Sequence, residues 1–334
     1  MMKRFVLARR PDGVPKADDF RLESGAIPRA PDGGIVIATT HVSVDPGMRS
    51  RLSGDSYAAA LALGEAIESA GIGRVIESRN AKFNEGDLVS GALGWTTHLA
   101  HPGKGLLKLD PAFYAGAVPP TCAIGMLGVP GLTSWFGVHA LSDLKPGEVF
   151  LVSSAAGPVG ATAGQLAKAK GARVIGIAGS DAKCAWLIDE LGFDAVINYR
   201  ATPDLGLSLN AAAPEGVDVY FDNVGAEMLD QAIRVMRPHG RIVISGQVAE
   251  YNAASPRGIR HVPDFISKRL TMRGFVVLDY AAQFREAQAA MAAMLRDGTL
   301  KFREQVVEGF ENLPAAFIGL FSGDNFGRCL VRVG

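Results

Sequence analysis

The residues with the clearest chemical use lie mid-chain, where the apolar run Val149-Phe150-Leu151-Val152-Ser153 meets Ser154-Ala155-Ala156-Gly157-Pro158-Val159-Gly160-Ala161. This is a dinucleotide fingerprint with Ala155 at its first glycine position. Gly157 lets the backbone approach a pyrophosphate, and Gly160 lets the following helix pack on the strand. With Pro158 and Val159, these residues open a helix whose first N–H groups and positive dipole end suit phosphate. An ordinary strand-to-helix turn is the competing reading. The strand before and the helix after favour the ligand-binding one.

The next apolar strand runs from Arg173 to Ala178 and ends at Gly179-Ser180. Sites for NAD usually carry an acidic residue there, on the ribose hydroxyls. No carboxylate stands there, so nothing repels a 2′-phosphate and NADPH is the expected cofactor. Lys183, one turn into the next helix, is placed to pair with that phosphate, although a solvated helix lysine would look the same. Asp181 is read as a first-turn helix charge facing away from the phosphate.

These residues need a frame, and residues 121–299 supply one. Strands are expected at 149–153, 173–178, 195–198, 217–222, 241–245 and 272–277. Helices are expected over about 159–170, 181–191 (Ser180 as N-cap, Gly192 after its end), 228–236 and 281–296. Continuous apolar strands joined by helical crossovers predict an α/β fold with a parallel, doubly wound sheet. Met291 and Met294, at helical spacing, are expected in the core. Residues 1–120 read as irregular and β-rich, with strands at 34–44, 73–78 and 88–91 and a turn at Asn84-Glu85-Gly86-Asp87. The tail, about 300–334, returns to strand-like patterning at 310–313 and 329–333 and completes the first domain.

The chain has 334 residues and 34 basic against 34 acidic side chains. That length suggests two domains. The charge balance argues against nucleic acid or an anionic membrane surface as partner. The opening apolar run is too short for a signal peptide, and no run is long enough to span a membrane. Cys122, Cys184 and Cys329 are scattered and build no disulfide framework, so a cytoplasmic location is expected.

Several stretches carry a resemblance in order along nearly the whole chain. They are Ser43-Val44-Asp45-Pro46-Gly47-Met48-Arg49, Asp55-Ser56-Tyr57, Gly131-Leu132-Thr133, the glycine loop and Ala178-Gly179-Ser180-Asp181-Ala182-Lys183-Cys184. They continue with Ile197-Asn198-Tyr199, Phe221-Asp222-Asn223-Val224-Gly225, Gly246-Gln247 and Tyr251-Asn252. Together they resemble the medium-chain dehydrogenase/reductase superfamily, in its zinc-independent branch of prostaglandin, leukotriene, alkenal and curcumin reductases. The resemblance implies a Rossmann domain beside a β-rich GroES-like catalytic domain, and a homodimer joined at the outer sheet edge near Phe275-Val276-Val277.

Zinc-dependent cousins hold metal through cysteine, a His-Glu pair and a second cysteine. The aligned places here are Ser43-Val44-Asp45, Ser69-Ala70 and Val129. None offers a thiolate or imidazole, so no metal is expected. His98 and His101, three apart on a strand, face opposite sides and do not converge on an ion. Without a Lewis acid, alcohol oxidation is disfavoured. The expected reaction is reduction of the C=C bond of a small α,β-unsaturated ketone or aldehyde. Hydride adds to the β-carbon, and the enolate oxygen then needs a hydrogen-bond donor.

The resemblance assigns that donor to Tyr251, helped by the cofactor ribose hydroxyl. A loop after the strand ending at Gly246 puts Tyr251 at the carboxyl edge of the sheet, although a packed loop tyrosine is the alternative. Lys183 and Tyr199 resemble the adenosine-phosphate contacts, and Asn223 a cofactor contact at the end of the fourth strand. Phe275-Val276-Val277 would present backbone to the nicotinamide carboxamide, with Asn325 a further contact from the tail. Tyr57 matches a substrate-side tyrosine, and Met126 is expected to line the cleft. Gly47 and Ala58-Ala59-Ala60-Leu61 depart from the family in the substrate-side loop, so its preferred substrate does not carry over. A quinone reductase and a non-catalytic NADPH-binding protein remain alternatives.

Overall fold

The chain pairs with itself early: Met2–Leu7 (β1) runs antiparallel to Phe20–Gly25 (β2). The β-branched stretch that follows forms Ile35–Ser43 (β3), and the short helix Met48–Ser53 (α1) comes next. Ala70–Ser78 (β4), Leu88–Ala92 (β5), His98–His101 (β6) and Leu107–Lys108 (β7) complete the first run of strands. The computed structural model describes residues 1–54, 59–255 and 257–334. They divide into two units. The first comprises Met1–Ile124, Glu304–Asn325 and Cys329–Gly334; the second comprises Gly125–Arg303 and Phe326–Arg328.

In the second unit the strands are Val149–Val152 (β8), Arg173–Ala178 (β9), Ala195–Asn198 (β10), Val217–Asp222 (β11), Met236–Ile244 (β12) and Thr271–Gly274 (β13). They form a wholly parallel sheet in the order β10-β9-β8-β11-β12-β13. Counted along this unit the order is 3-2-1-4-5-6, the dinucleotide-binding arrangement, and its direction reverses between β8 and β11. The helices are Val129–Phe136 (α2), Pro158–Ala169 (α3), Asp181–Asp189 (α4), Leu205–Ala212 (α5), Ala226–Val235 (α6), Val262–Lys268 (α7) and Phe284–Arg296 (α8).

Alternation along the strands feeds both faces of this sheet. Leu151, Ile175, Ile177 and Tyr220 form one core with Leu209 of α5 and Leu229 and Ile233 of α6. Phe221 points the other way, and a Cβ on Gly137 would come within 2.4 Å of its ring, so only glycine fits. Met291 is fully buried and Met294 half-buried, in keeping with their helical spacing.

Two expectations fail for the same physical reason. The sixth strand stops at Gly274 instead of continuing through Phe275-Val276-Val277, and Val277–Gln283 is a 3-10 helix. Tyr280 of that turn stacks on Phe136 at 4.6 Å and meets Phe275 edge-on at 6.5 Å. This packing overrides the β-propensity of the tripeptide. The tail holds the strands Glu304–Glu308 (β14) and Arg328–Arg332 (β15), but residues 310–313 are not a strand. They wind through a 3-10 turn into the helix Leu313–Ser322 (α9). Phe310, Leu313, Phe317 and Leu320 recur at helical spacing, and all four are buried.

That tail completes the first unit. β15 pairs with β3 in the sheet β14-β15-β3-β4-β5-β7. Trp95, fully buried, is ringed by Phe20 at 5.2 Å, Phe5 at 6.0 Å and Phe317 at 6.0 Å, with Phe310 stacked on Phe5 at 5.3 Å.

A charged clasp closes the amino edge of the parallel sheet. Arg241 of β12 grips Glu148, just before β8, through two hydrogen bonds of 3.0 and 2.6 Å, and also donates to the carbonyls of Ser142 and Asp143. Burial pushes the Glu148 carboxyl up, but Arg241 and the Lys145 N–H outweigh it and hold the group below the ordinary carboxylate range. Its stabilising contribution is therefore full above the unfolded-state pKa and lost as pH falls through the lowered folded value. Glu148→Gln is expected to cost about 1–2 kcal/mol at pH 7. Urea melts should show the gap to wild type closing as pH drops below about 4.3. A gap independent of pH would refute the assignment.

Candidate functional site

The glycine loop is built as its sequence requires. Gly157 caps α3 with an extended backbone and no side-chain hydrogen bond. Pro158 fills the first helical position, where its missing N–H costs nothing, and Val159 and Gly160 contribute N–H groups with no partner inside the helix. A Cβ on Gly160 would stand 2.4 Å from the Ser154 carbonyl oxygen and 2.8 Å from the Ala155 Cα, so the helix start lies directly on the loop. Ser154 holds φ of 50°, the left-handed region that non-glycine residues rarely occupy. The loop is pinned by Ala155 N–H on the Ile177 carbonyl (2.9 Å) and by Gly327 N–H on the Ala156 carbonyl (3.0 Å). The result is a rigid cradle of backbone donors that fits a dinucleotide pyrophosphate.

Next to it, β9 ends at Ala178. Ser180 caps α4, its hydroxyl accepting from the Lys183 N–H at 3.3 Å, which sets Lys183 one turn into the helix. The Tyr199 ring lies against Gly179, where a Cβ would be 3.1 Å from Cε1. Asp181 does not stand idle: the Asn198 amide donates to its carboxylate at 2.7 Å. One group here escaped the sequence reading. Arg200 reaches back over Tyr199, with Nε 3.2 Å from the phenol oxygen. Nε also lies 3.5 Å from the position of a Gly179 Cβ. Its signal was its place directly after Asn198-Tyr199, a basic residue at the end of the third strand.

A dense polar network occupies the carboxyl ends of β8, β11 and β12, at the switch point. Asp222 is fully buried. Its Oδ1 accepts from Tyr220 Oη (2.7 Å), Ser153 Oγ (3.0 Å), Val224 N (2.9 Å) and Gly225 N (3.0 Å). Its Oδ2 is buried without a hydrogen-bond partner among the described residues. Burial pushes the Asp222 carboxyl up despite these four donors, and burial also raises the Tyr220 phenol. The Asn223 amide bridges neighbouring strand ends, donating to the Ser153 carbonyl (2.7 Å) and accepting from Ser245 Oγ (2.8 Å). That leaves one N–H and one carbonyl lone pair for a ligand. Gly246 N–H donates to the Asp222 carbonyl at 3.2 Å. The Tyr251 phenol oxygen accepts from Gln247 N–H at 3.4 Å and lies 3.5 Å from the position of a Gly246 Cβ.

The other expected site residues are less convergent. Phe275-Val276-Val277 follows the end of β13, so its backbone is released from the sheet ladder, and Val277 is buried. Met126 is buried, with its sulfur 3.2 Å from Thr162 Oγ1, and so packs on α3. Asn325 belongs to the first unit, between α9 and β15. Tyr57 lies outside the described residues.

Residues 3–109 match a family described as N-terminal domain of oxidoreductase, and residues 158–294 one described as zinc-binding dehydrogenase. Prostaglandin reductase 1 of Bos taurus is 40% identical over 99% of this chain and 98% of its own. The NADP(+)-dependent 2-alkenal reductase of Nicotiana tabacum is 36% identical over 99% of this chain and 97% of its own. The chain belongs to the zinc-independent medium-chain dehydrogenase/reductases. Among solved structures of this family, CurA of Vibrio vulnificus in complex with NADPH superposes with a TM-score of 0.93. It is 35% identical and covers 99% of each chain.

Within this medium-chain reductase, the places of the zinc ligands hold a different chemistry. Ser43 Oγ donates to Asp45 Oδ2 at 2.9 Å and lies 3.2 Å from Ser69 Oγ, which itself donates to the Ser43 carbonyl. Ser43 and Ser69 are buried. Val129 is apolar and exposed. Hydroxyls already satisfied by one another do not make a zinc donor set. His98 and His101 sit on β6, where residues three apart face opposite sides. Burial holds both imidazoles below the ordinary histidine range.

Proposed function

We propose that this chain is an NADPH-dependent reductase of the C=C bond of α,β-unsaturated ketones and aldehydes. The observation that carries the reading is the Tyr251 phenol, set over Gly246 at the carboxyl edge of the sheet while the zinc-ligand places hold Ser43, Asp45, Ser69 and Val129. The names of the 2-alkenal and prostaglandin reductases, at 36% and 40% identity, support it.

NADPH, when bound, supplies the hydride that adds to the β-carbon. The chain's own residues hold and orient. The Val159 and Gly160 N–H groups receive the pyrophosphate, and Lys183, Tyr199 and Arg200 the 2′-phosphate, with Gly179 and Ser180 leaving room for the ribose. Asn223 and Gly246 flank the reacting end with Phe275-Val276-Val277, and Asn325 adds a contact from the tail. Negative charge gathers on the substrate carbonyl oxygen as the double bond is reduced. A fixed hydrogen-bond donor stabilises it without reorganisation, and Tyr251 is that donor. The α-carbon then takes a proton from solvent, which completes the addition of hydride and proton across the double bond.

A homodimer is proposed on a corrected footing. The outer strand β13 is Thr271–Gly274, all four residues exposed, with exposed Val262, Ile266 and Leu278 nearby in sequence. An exposed edge strand with apolar side chains close to it in sequence invites pairing with a second copy. Light scattering at micromolar protein should give twice the chain mass, and a monomer would end this proposal.

The cofactor assignment is tested by charge removal. Lys183→Ala and Arg200→Ala should each raise the Michaelis constant for NADPH by an amount corresponding to about 1.5–3 kcal/mol and leave that for NADH nearly unchanged. Equal effects on both cofactors would count against the 2′-phosphate site.

The chemistry is tested at Tyr251. Tyr251→Phe should lower enone turnover, by less than the roughly 10²–10³ seen where one donor carries the whole load, and should leave NADPH affinity intact. Dialysis against a chelator should leave the rate unchanged. Wild-type turnover by the variant would reduce Tyr251 to packing. A rate that preferred quinones over enones would redirect the substrate class.

A further inference from the structure

The buried carboxyl of Asp222 is out of proportion to a turn residue. Two backbone N–H groups, those of Val224 and Gly225, would be satisfied by an asparagine or serine. Here one oxygen gathers four donors, two of them the hydroxyls of Tyr220 and Ser153. The other oxygen is shut away from water, with no partner among the described residues. Burying a charge is costly unless hydrogen bonds offset it, and here four donors do so at a single oxygen. Charge-assisted hydrogen bonds are roughly twice as strong as neutral ones, which suits a carboxylate asked to fix several groups at once.

What it fixes leads to the site. Through Val224 N and Gly225 N the carboxylate sets the path of residues 223–225. That segment then carries the following loop on its carbonyls. Val248 N–H donates to the Asn223 carbonyl at 3.2 Å and Ala249 N–H to the Val224 carbonyl at 3.1 Å. Ser245 N–H and Gly246 N–H both donate to Asp222's own carbonyl, at 2.8 and 3.2 Å. The loop so hung ends at Tyr251, whose phenol returns to Gln247 N–H. Ser153 ties the arrangement to β8, accepting from Asn223 N–H at 2.9 Å while its hydroxyl donates to the carboxylate.

We propose that Asp222 is a positioning residue for Tyr251: its carboxylate holds residues 223–225, on which the 246–251 loop is suspended, so the phenol's place in the site depends on a group that does not touch substrate. This inference rests on the reading of Tyr251 as the enolate donor. Sub-ångström shifts of a donor matter because misplacement by about 1 Å can cost 10²-fold in rate.

The test is a double-mutant cycle on the full chain, with 3-nonen-2-one as substrate and NADPH saturating. The proteins are wild type, Asp222→Asn, Tyr251→Phe and the pair. Asparagine keeps the shape but removes the charge that lets one oxygen gather four donors, so its hold on the Val224 and Gly225 N–H groups weakens. Asp222→Asn should lower kcat about tenfold in the wild-type background and less than about threefold beside Tyr251→Phe, the signature of two residues acting through one contact. The NADPH dissociation constant, read by cofactor fluorescence, should stay within about threefold, since the phosphate cradle is built separately. Equal factors in both backgrounds overturn the positioning role while leaving Tyr251 as donor. A loss confined to NADPH affinity, with kcat intact, overturns it too. Wild-type turnover by Tyr251→Phe alone defeats the donor reading first and this inference with it. Should Asp222→Asn fail to fold, Ser153→Ala completes the same cycle, because it removes the hydroxyl that joins the carboxylate to β8.

Discussion

The second unit is organised by the need to satisfy polar groups where six parallel strands end together. A parallel sheet buried on both faces leaves its carboxyl ends as the place where backbone and side chains turn polar while still shielded from water. Asp222 answers most of that demand at the switch point. It receives two hydroxyls and two N–H groups, and its neighbour Asn223 spans the ends of β8 and β12. The glycine loop on one side and the Tyr251 loop on the other both leave from strands joined by this network. The reacting end of the dinucleotide space is therefore framed by groups held through one network, while the pyrophosphate cradle rests on its own hydrogen bonds, Ala155 N–H to the Ile177 carbonyl and Gly327 N–H to the Ala156 carbonyl.

Much of this was legible in the sequence because it is local. The strand, Gly157 and Gly160 define the cradle by themselves, and Ser180 and Gly192 announce the ends of α4; Ser180 indeed caps the helix, and Gly192 takes a positive φ. The alternation of apolar strands and helices gives the parallel sheet without further help. The loop after the strand that ends near Gly246 is enough to bring Tyr251 beside that glycine. What holds it was not legible, since the Asp222 network exists only once β8 and β11, some seventy residues apart in sequence, lie side by side. Arg200 was missed for a related reason: its guanidinium acquires meaning only by folding back over Tyr199 to Gly179.

The errors have the same origin. Phe275-Val276-Val277 has strong strand propensity, yet aromatic contacts through Tyr280 end the strand at Gly274. Phe310 and Leu313 looked strand-like over four residues. Over eleven residues, with Phe317 and Leu320, their spacing is that of a helix packed on Trp95 and its neighbours. A short window hid a long period.

The return of the tail has a consequence for synthesis. β3 is made early, but one of its partners, β15, is made nearly three hundred residues later, with Leu330 opposite Ser43. Phe310 and Phe317, which complete the aromatic cluster around Trp95, are also late. The parallel sheet of the intervening unit can form while the chain is still growing, since none of its six strands pairs with the tail; only Phe326–Arg328 of that unit come later. The usual order, in which the N-terminal domain folds first, is thus inverted. Until residues 310–332 emerge, β3 has an open edge at residues 41–43 and Trp95 an incomplete shell. Once Arg303 has been made, the chain therefore passes through a stage in which its later sheet is formed while its beginning is still exposed, the interval in which a chaperone would find it.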